Sequence, residues 1–295
     1  MKIVYSHWSN ADILHQKLFP EMAAASNYLA QKQGFKTVLY TDSKGYELLH
    51  KINFNEFKQL DEKKLNQFPK TGWSLGKLLT ISDIDYPFLH IDFDLFLLKP
   101  LDSKILSQDN LFLHREIWMD NVLKTSCKII GKRPSLVPES NSYISYNCAI
   151  FGGQNYKTFN KAAQNICNFA IENSEFLESI AQQQRALKKE NKVKHHLYLA
   201  MMLEQLWLPQ ITEQDSKINT ILTNDKIKNL NEKQYYSNNK FYEKDDNIFE
   251  IEFKTYLKEL NILANELGII HFYASTKKNY KKKIIKFANS KNLTF

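Results

Sequence analysis

The chain has 295 residues, of which 43% are hydrophobic, including 19 Phe and 15 Tyr; this composition suits one large α/β domain or two small ones and excludes a disordered or fibrous protein. Cys127, Cys148 and Cys167 form no CxxC pair, which excludes a disulfide framework and points to reduced thiols in a cytoplasmic protein. Net charge is +8, but His271 to Phe295 carries seven lysines and no acid, and the other 270 residues hold 33 basic against 32 acidic groups. A nearly neutral body with a basic tail argues against nucleic-acid binding.

The N-terminus enters a strand directly, Lys2 to Tyr5, with no signal-peptide apolar region ahead of it. Asp12 to Gln33 has helical composition, which Gly34 stops. Lys36 to Tyr40 reads as a second strand that ends in a turn cluster, Thr41-Asp42-Ser43-Lys44-Gly45. Trp73 to Ile84 suits a helix and Phe88 to Asp94 a strand. Strands separated by helices imply βαβ units and a mainly parallel sheet, with ligands outside the carboxyl ends of the strands. Ser6-His7, Asp42 and the pair Asp92/Asp94 all fall at such ends.

That last strand is the most informative segment. Its apolar run carries two carboxylates at spacing two, which on an extended strand point to one face. Two such acids need a cation between them or an opening to water. A hard divalent ion with oxygen ligands, bridging to phosphate, is the natural occupant. By spacing alone, an edge strand with two solvated acids is the alternative.

Ser142 to Gly153 is a strand-like run whose two glycines mark a turn or a close backbone approach. Lys157 to Lys189 and His195 to Leu208 read as helices, the second carrying Glu204-Gln205. Thr223 to Asn247 resembles a hairpin or mobile insertion, Thr255 to Leu267 a helix, and Ile269 to Phe272 a final strand. In the basic tail Tyr280, Ile284, Phe287 and Ala288 form one helical stripe edged by lysines. Such a helix either lies on an anionic membrane surface through residues 277–291 or packs its stripe on the domain with its lysines solvated.

Asp92-Phe93-Asp94 after a helix bearing Lys77, then Asn147-Cys148-Ala149 with Gly152-Gly153, then Glu204-Gln205, then His271 to Lys277, come in a recognisable order. The order resembles that of GT-A-fold nucleotide-sugar glycosyltransferases, particularly the glycogenin and lipooligosaccharide galactosyltransferase group. The resemblance spans roughly residues 1 to 280 as scattered short motifs. It departs from that group at Ala274, where the group has glycine, at Glu204, where it has aspartate, and at Cys148-Ala149, where it has Ala-Gly. These changes mark a divergent family.

The resemblance implies a single α/β domain of the GT-A, Rossmann-like type, with a mainly parallel sheet flanked by helices. It implies a catalytic region over 1–275, with a nucleotide-binding half at 1–100, an acceptor half at 101–275 and the basic amphipathic tail at 276–295. It further implies a metal-dependent transferase that moves a sugar, with retention, from a UDP-sugar to a glycan, lipid-linked glycan or protein acceptor. Asp92, Asp94 and His271 would be the metal ligands; such a set suits Mn²⁺ better than Mg²⁺, the second choice. Ser6, His7, Asp42, Lys77, Asp92 and Lys277 would contact the donor nucleotide, Asn147 the sugar hydroxyls, and Glu204 the region of the anomeric carbon. For Asp42 a turn-forming role is the alternative, and for Lys77 a solvated helix position. Two other readings stay open: a haloacid-dehalogenase-like phosphohydrolase using Asp92/Asp94, and a non-catalytic sugar-binding domain.

Overall fold

A computed structural model describes residues 1–9, 19–139, 143–189, 198–222, 267–271 and 274–295, with the side chains at 19, 117–118, 188–189 and 274–281 left undescribed. The hairpin expected over 223–247 and nearly all of the helix expected over 255–267 lie outside these residues.

In chain order the first half reads β1 (Lys2–His7), α1 (Phe19–Lys32), β2 (Thr37–Thr41), α2 (Ser43–Leu49), β3 (Glu56–Gln59), α3 (Glu62–Leu65), α4 (Leu75–Ser82), β4 (Phe88–Ile91) and β5 (Leu95–Leu97). The second half adds α5 (Ser103–Leu106), β6 (Leu111–Phe112), α6 (Ile117–Ile130), β7 (Ile150–Gly153), α7 (Tyr156–Glu172) and α8 (Ser174–Lys189). After these come α9 (Leu199–Met201), a π-helical segment (Met202–Trp207), α10 (Leu208–Thr212), β8 (Asn219–Thr220), β9 (Ile269–His271) and α11 (Ala274–Ser290).

The main sheet has seven strands in the order β3-β2-β1-β4-β7-β6-β8. Its β3–β2, β2–β1, β1–β4 and β6–β8 pairings are parallel, whereas β7 runs antiparallel to both β4 and β6. The fold is therefore a mixed, mostly parallel sheet flanked by helices in one domain, the Rossmann-like class expected from the sequence. Strand alternation explains the two-sided core. Val4, Val38, Tyr40, Phe88, Phe112 and Phe151 pack on one face with residues of α4, α7 and the π segment. Ile3, Tyr5, Leu39, Leu89 and Ile150 pack on the other with residues of α1.

Because β7 is reversed, its amino end lies at the same edge as the carboxyl ends of β1, β2, β4 and β6. This edge collects Ser6-His7, Asp42, Asp92, His114 to Glu116 and Asn147. A second, two-stranded antiparallel ladder, β5 with β9, places His271 opposite Leu95.

Three elements differ from the sequence reading. The helix expected over 157–189 is broken at Asn173 into α7 and α8. Strand β4 stops at Ile91, and Asp92 to Leu95 forms a turn closed by the Leu95 N–H donating to the Asp92 carbonyl (3.0 Å). Among the described residues of the run 142–153, Tyr146 makes an isolated bridge to Arg115 and Ile150 to Gly153 form a strand. There Gly152 adopts φ +138°, and a Cβ on it would sit 2.2 Å from the Phe88 carbonyl oxygen. That is the close backbone approach the paired glycines imply.

The apolar stripe of α11 is occupied. Ile284 is buried with Met22, Ala25 and Leu29 of α1, Phe287 packs at its side, and Ala288 is buried too, while Lys282, Lys283 and Lys286 are exposed. The packing alternative for the tail stripe is thus the arrangement present.

Gly152→Ala should lower stability by about 3 kcal/mol or more, since positive φ and a backbone clash act together at a central strand pairing. Urea unfolding tests this; a midpoint within error of wild type would refute the close-approach account.

Candidate active site

Lys77 enters from α4, a helix in which every residue from Leu75 to Ile81 is buried. A lysine in such a helix must find partners rather than water. Its Nζ lies 2.6 Å from Asp92 Oδ1, bonds Glu204 Oε1, and donates to the Cys148 carbonyl at 3.3 Å. All three ammonium hydrogens thereby have acceptors. Burial alone would lower the Lys77 pKa, but the carboxylates of Asp92 and Glu204 hold it above the ordinary lysine range. The Lys77 side chain is 7% exposed, so the solvated-helix alternative does not describe it. Asp92, at 31%, is the member of the cluster open to solvent.

Glu204 reaches this cluster because its helix is widened. Pro209 has no N–H to offer the carbonyl of Gln205 four residues earlier, and its ring crowds that carbonyl. The Gln205 carbonyl instead accepts from the Tyr146 N–H at 2.9 Å, and residues 202–207 relax into a π turn. Such turns recur at functional sites. Glu204 Oε2 and Gln205 Oε1 are both buried with no hydrogen-bond partner among the described residues. Burial pushes the Glu204 carboxyl up to about 7, against the pull of Lys77.

The two acids of the Asp-x-Asp pair have different partners, Lys77 for Asp92 and His271 for Asp94, yet they lie near enough that burial and the Asp94 charge together raise the Asp92 pKa. Asp92 follows the alternation of β4 onto the α4 face, whereas Phe93 turns to the other face and stacks on Tyr5 (5.1 Å). Asp94 lies beyond the turn, with Oδ1 3.6 Å from His271 Nε2. The extended-strand geometry expected for 92–94 is corrected by the turn that begins at Asp92; the apolar residues continuing through Leu98 conceal it in sequence.

Among the described residues no group of three His, Cys, Asp or Glu side chains is gathered closely enough to cage a metal ion. What is present is narrower: the Asp94–His271 pair, with Asp92 in the same chain segment and its Oδ1 already held by Lys77. Two or three such ligands fit a divalent ion that completes its shell with phosphate oxygens and water rather than with protein.

The remaining sequence candidates divide. Ser6 Oγ is 2.9 Å from His90 Nε2, a histidine buried between Ser6 and Asp92. Asp42 caps α2, its Oδ1 accepting from Gly45 N at 2.9 Å, while Oδ2 accepts from Ser9 N at 3.1 Å. The turn-forming alternative describes these contacts. His7 is buried nearby, and that burial pulls its pKa down to about 4. Lys277 falls in α11, but its side chain lies outside the described residues.

Asn147 sits on the lead-in to β7 and is buried. Its Oδ1 accepts from Ala149 N at 2.9 Å, and its Nδ2 donates to Glu116. Glu116, His114 and His90 were not singled out by the sequence reading. For the first two a signal existed: Leu111-Phe112-Leu113 is an apolar run that ends in His-Arg-Glu, just as the β4 run ends in acid. His114 Nδ1 lies 2.9 Å from the Arg115 carbonyl, and burial lowers its pKa to about 4.

Burial pushes the Glu116 carboxyl up to about 7 from an ordinary 4.5, although the Asn147 hydrogen bond opposes the shift. An acid raised in this way contributes stability that is complete below pH 4.5 and lost as pH rises through about 7. Glu116→Gln cannot ionise, so its stability should fall less than wild type between those limits, by about 3 kcal/mol. Urea unfolding at both ends of the window measures the difference; parallel pH profiles would contradict it.

Among solved structures, a crystal structure of an active-site mutant of LgtC matches with a TM-score of 0.46 at 12% identity, covering 100% of this chain and 97% of that one. No curated protein matches the sequence. Residues 1–287 match the model of the family of unknown function DUF6734, and the chain belongs to that family.

Proposed function

We propose that the protein is a metal-dependent glycosyltransferase that takes a sugar from a nucleotide donor, a UDP-sugar, and transfers it with retention to a glycan, lipid-linked glycan or protein acceptor. The observation that carries this reading is the pair of buried acceptor oxygens beside the Lys77 cluster, Glu204 Oε2 and Gln205 Oε1, that have no hydrogen-bond donor among the described residues. Buried acceptors without donors are costly, and a hydroxyl-rich ligand supplies what they lack. The motif order of the sequence and the position of the cluster at the carboxyl edge of the sheet support the same reading.

Breaking the bond between the anomeric carbon and its phosphate oxygen leaves the electron pair on a nucleoside diphosphate. The acceptor hydroxyl oxygen forms the new bond to the anomeric carbon and passes its proton to the departing diphosphate oxygen. Charge therefore develops on the diphosphate, and fixed cations stabilise it. Asp94 and His271, with Asp92, would hold a divalent ion, Mn²⁺ or Mg²⁺, which when bound neutralises phosphate charge. Lys77 fixes Asp92 and Glu204 in place, so neither carboxylate swings when the donor enters. Glu204 is the carboxylate we place at the anomeric carbon, and Asn147 at the sugar hydroxyls. His7 and Asp42, with Ser6, flank the nucleoside end. Helix α11 begins three residues after His271 in sequence, and we assign Lys277 and the helix amino terminus to the diphosphate as fixed positive charge. In domain terms, 1–100 would serve the nucleotide and 101–275 the acceptor; with the apolar stripe of α11 packed on α1, the tail 276–295 would meet an anionic membrane surface through its lysine charge alone.

UDP with Mn²⁺ should raise the melting temperature by about 5 °C at saturating ligand, and Asp94→Ala should remove the Mn²⁺-dependent part of that rise. If neither UDP nor GDP stabilises the protein with or without Mn²⁺, the nucleotide-sugar reading fails. For the tail, truncation at Lys278 should weaken co-sedimentation with vesicles of anionic lipid; unchanged binding would reject membrane docking.

A further inference from the structure

Four hydrogen bonds tie Asn147 and its neighbours into the site. The Asn147 N–H donates to the His114 carbonyl (2.8 Å) and its carbonyl accepts from Leu113 N (3.2 Å). The next residue, Cys148, gives its carbonyl to Lys77 (3.3 Å), and Ala149 gives its own to the Asp92 N–H (2.8 Å). Asn147 is thus set on the same backbone segment that binds both Lys77 and Asp92. Its side chain is held from two sides, by Ala149 N–H at the carbonyl end and by Glu116 at the amide end. One amide hydrogen remains beyond those the described protein groups engage.

Glu116 is an unusual choice for a mere core partner. It is 2% exposed, and a hydroxyl or amide would hold Asn147 with a smaller desolvation penalty. A carboxyl group differs in one respect: ionised or protonated, it keeps an oxygen that accepts from Asn147 Nδ2, at the end of the amide opposite the oxygen held by the Ala149 N–H. It therefore fixes the sense of the Asn147 amide, whereas an amide partner can turn round and accept or donate. We infer that Glu116 is a positioning residue for the sugar of the donor, clamping the Asn147 amide so that its remaining N–H is directed to a sugar hydroxyl oxygen. The inference rests on the nucleotide-sugar reading of the neighbouring cluster. It makes the sugar subsite a pair, Asn147 touching the ligand and Glu116 acting through it. Removing one clamp leaves the amide free to rotate about the other, and loosening of half an ångström is enough to lose a directed hydrogen bond.

The test compares the full-length protein and two variants by calorimetric titration with UDP, UDP-glucose and UDP-galactose in Mn²⁺. In Glu116→Ala the dissociation constant for the sugar nucleotide the wild type binds should rise about tenfold, while that for UDP stays within about twofold. The exchange variant Glu116→Gln with Asn147→Asp guards against loss of fold. Its Gln side chain donates to the Asp carboxylate, so the mutual hydrogen bond and the melting temperature are kept. The free N–H is absent, and the sugar-specific affinity should stay lost. Equal weakening of UDP and UDP-sugar in Glu116→Ala, or full UDP-sugar affinity in the exchange variant, would overturn the positioning role. A wild-type protein that binds none of the three nucleotides would instead reject the nucleotide-sugar reading before any variant is made, and the inference with it.

Discussion

The ammonium of Lys77 is the group on which the site depends. It joins four pieces of chain with no local reason to meet: helix α4, the end of β4 at Asp92, the π segment at Glu204 and the Cys148 carbonyl ahead of β7. Two carboxylates at this depth would repel each other and resist desolvation. With the ammonium between them they become a rigid unit whose members cannot be exchanged singly. Removing one partner from such a cluster is far more damaging than replacing the whole by apolar residues. The unit therefore reads as a device for holding Asp92 and Glu204 in place, not as a contribution to stability.

Around this unit the sheet supplies the geometry. Parallel strands deliver their carboxyl ends to one edge, and the reversal of β7 brings its leading residues to the same edge. The glycines at the far end of β7 permit that reversal, because only a residue without Cβ can pass so close to the Phe88 and Asp109 carbonyls. The chemistry of Asn147 at one end of β7 is thus tied to backbone sterics at the other.

Much of this was legible in the sequence, and the reasons are specific. Strand β4 and the acids at its end stand out because a continuous apolar run closes on two carboxylates. The α/β class follows from strands and helices alternating over the first hundred residues. Lys77 was readable as a cation in the right helix. Its burial was readable too in principle, since Leu-Gly-Lys-Leu-Leu-Thr-Ile is apolar on every side. The turn at 92–95 was not, because Phe93 and Leu95 to Leu98 continue the apolar pattern that would mark a longer strand. Nor was the Glu116–Asn147 contact, which joins segments paired only in the folded sheet. Pro209 offered a local clue to the widened helix, but which carbonyl it frees matters only once Tyr146 lies alongside.

The β5–β9 ladder is only three residues long, and it sets His271 beside Asp94. The two partners are separated by well over half the chain, so this contact carries one of the largest loop-closure penalties in the molecule. Contacts of that kind form late. During synthesis, strands β1 to β4 and the Lys77 unit's first carboxylate can be in place long before residue 271 leaves the ribosome. The strands made first thus carry Lys77, Asp92 and Asp94 before their partners from the second half of the chain exist. Glu204 joins Lys77 and His271 faces Asp94 only as later segments are added to that frame.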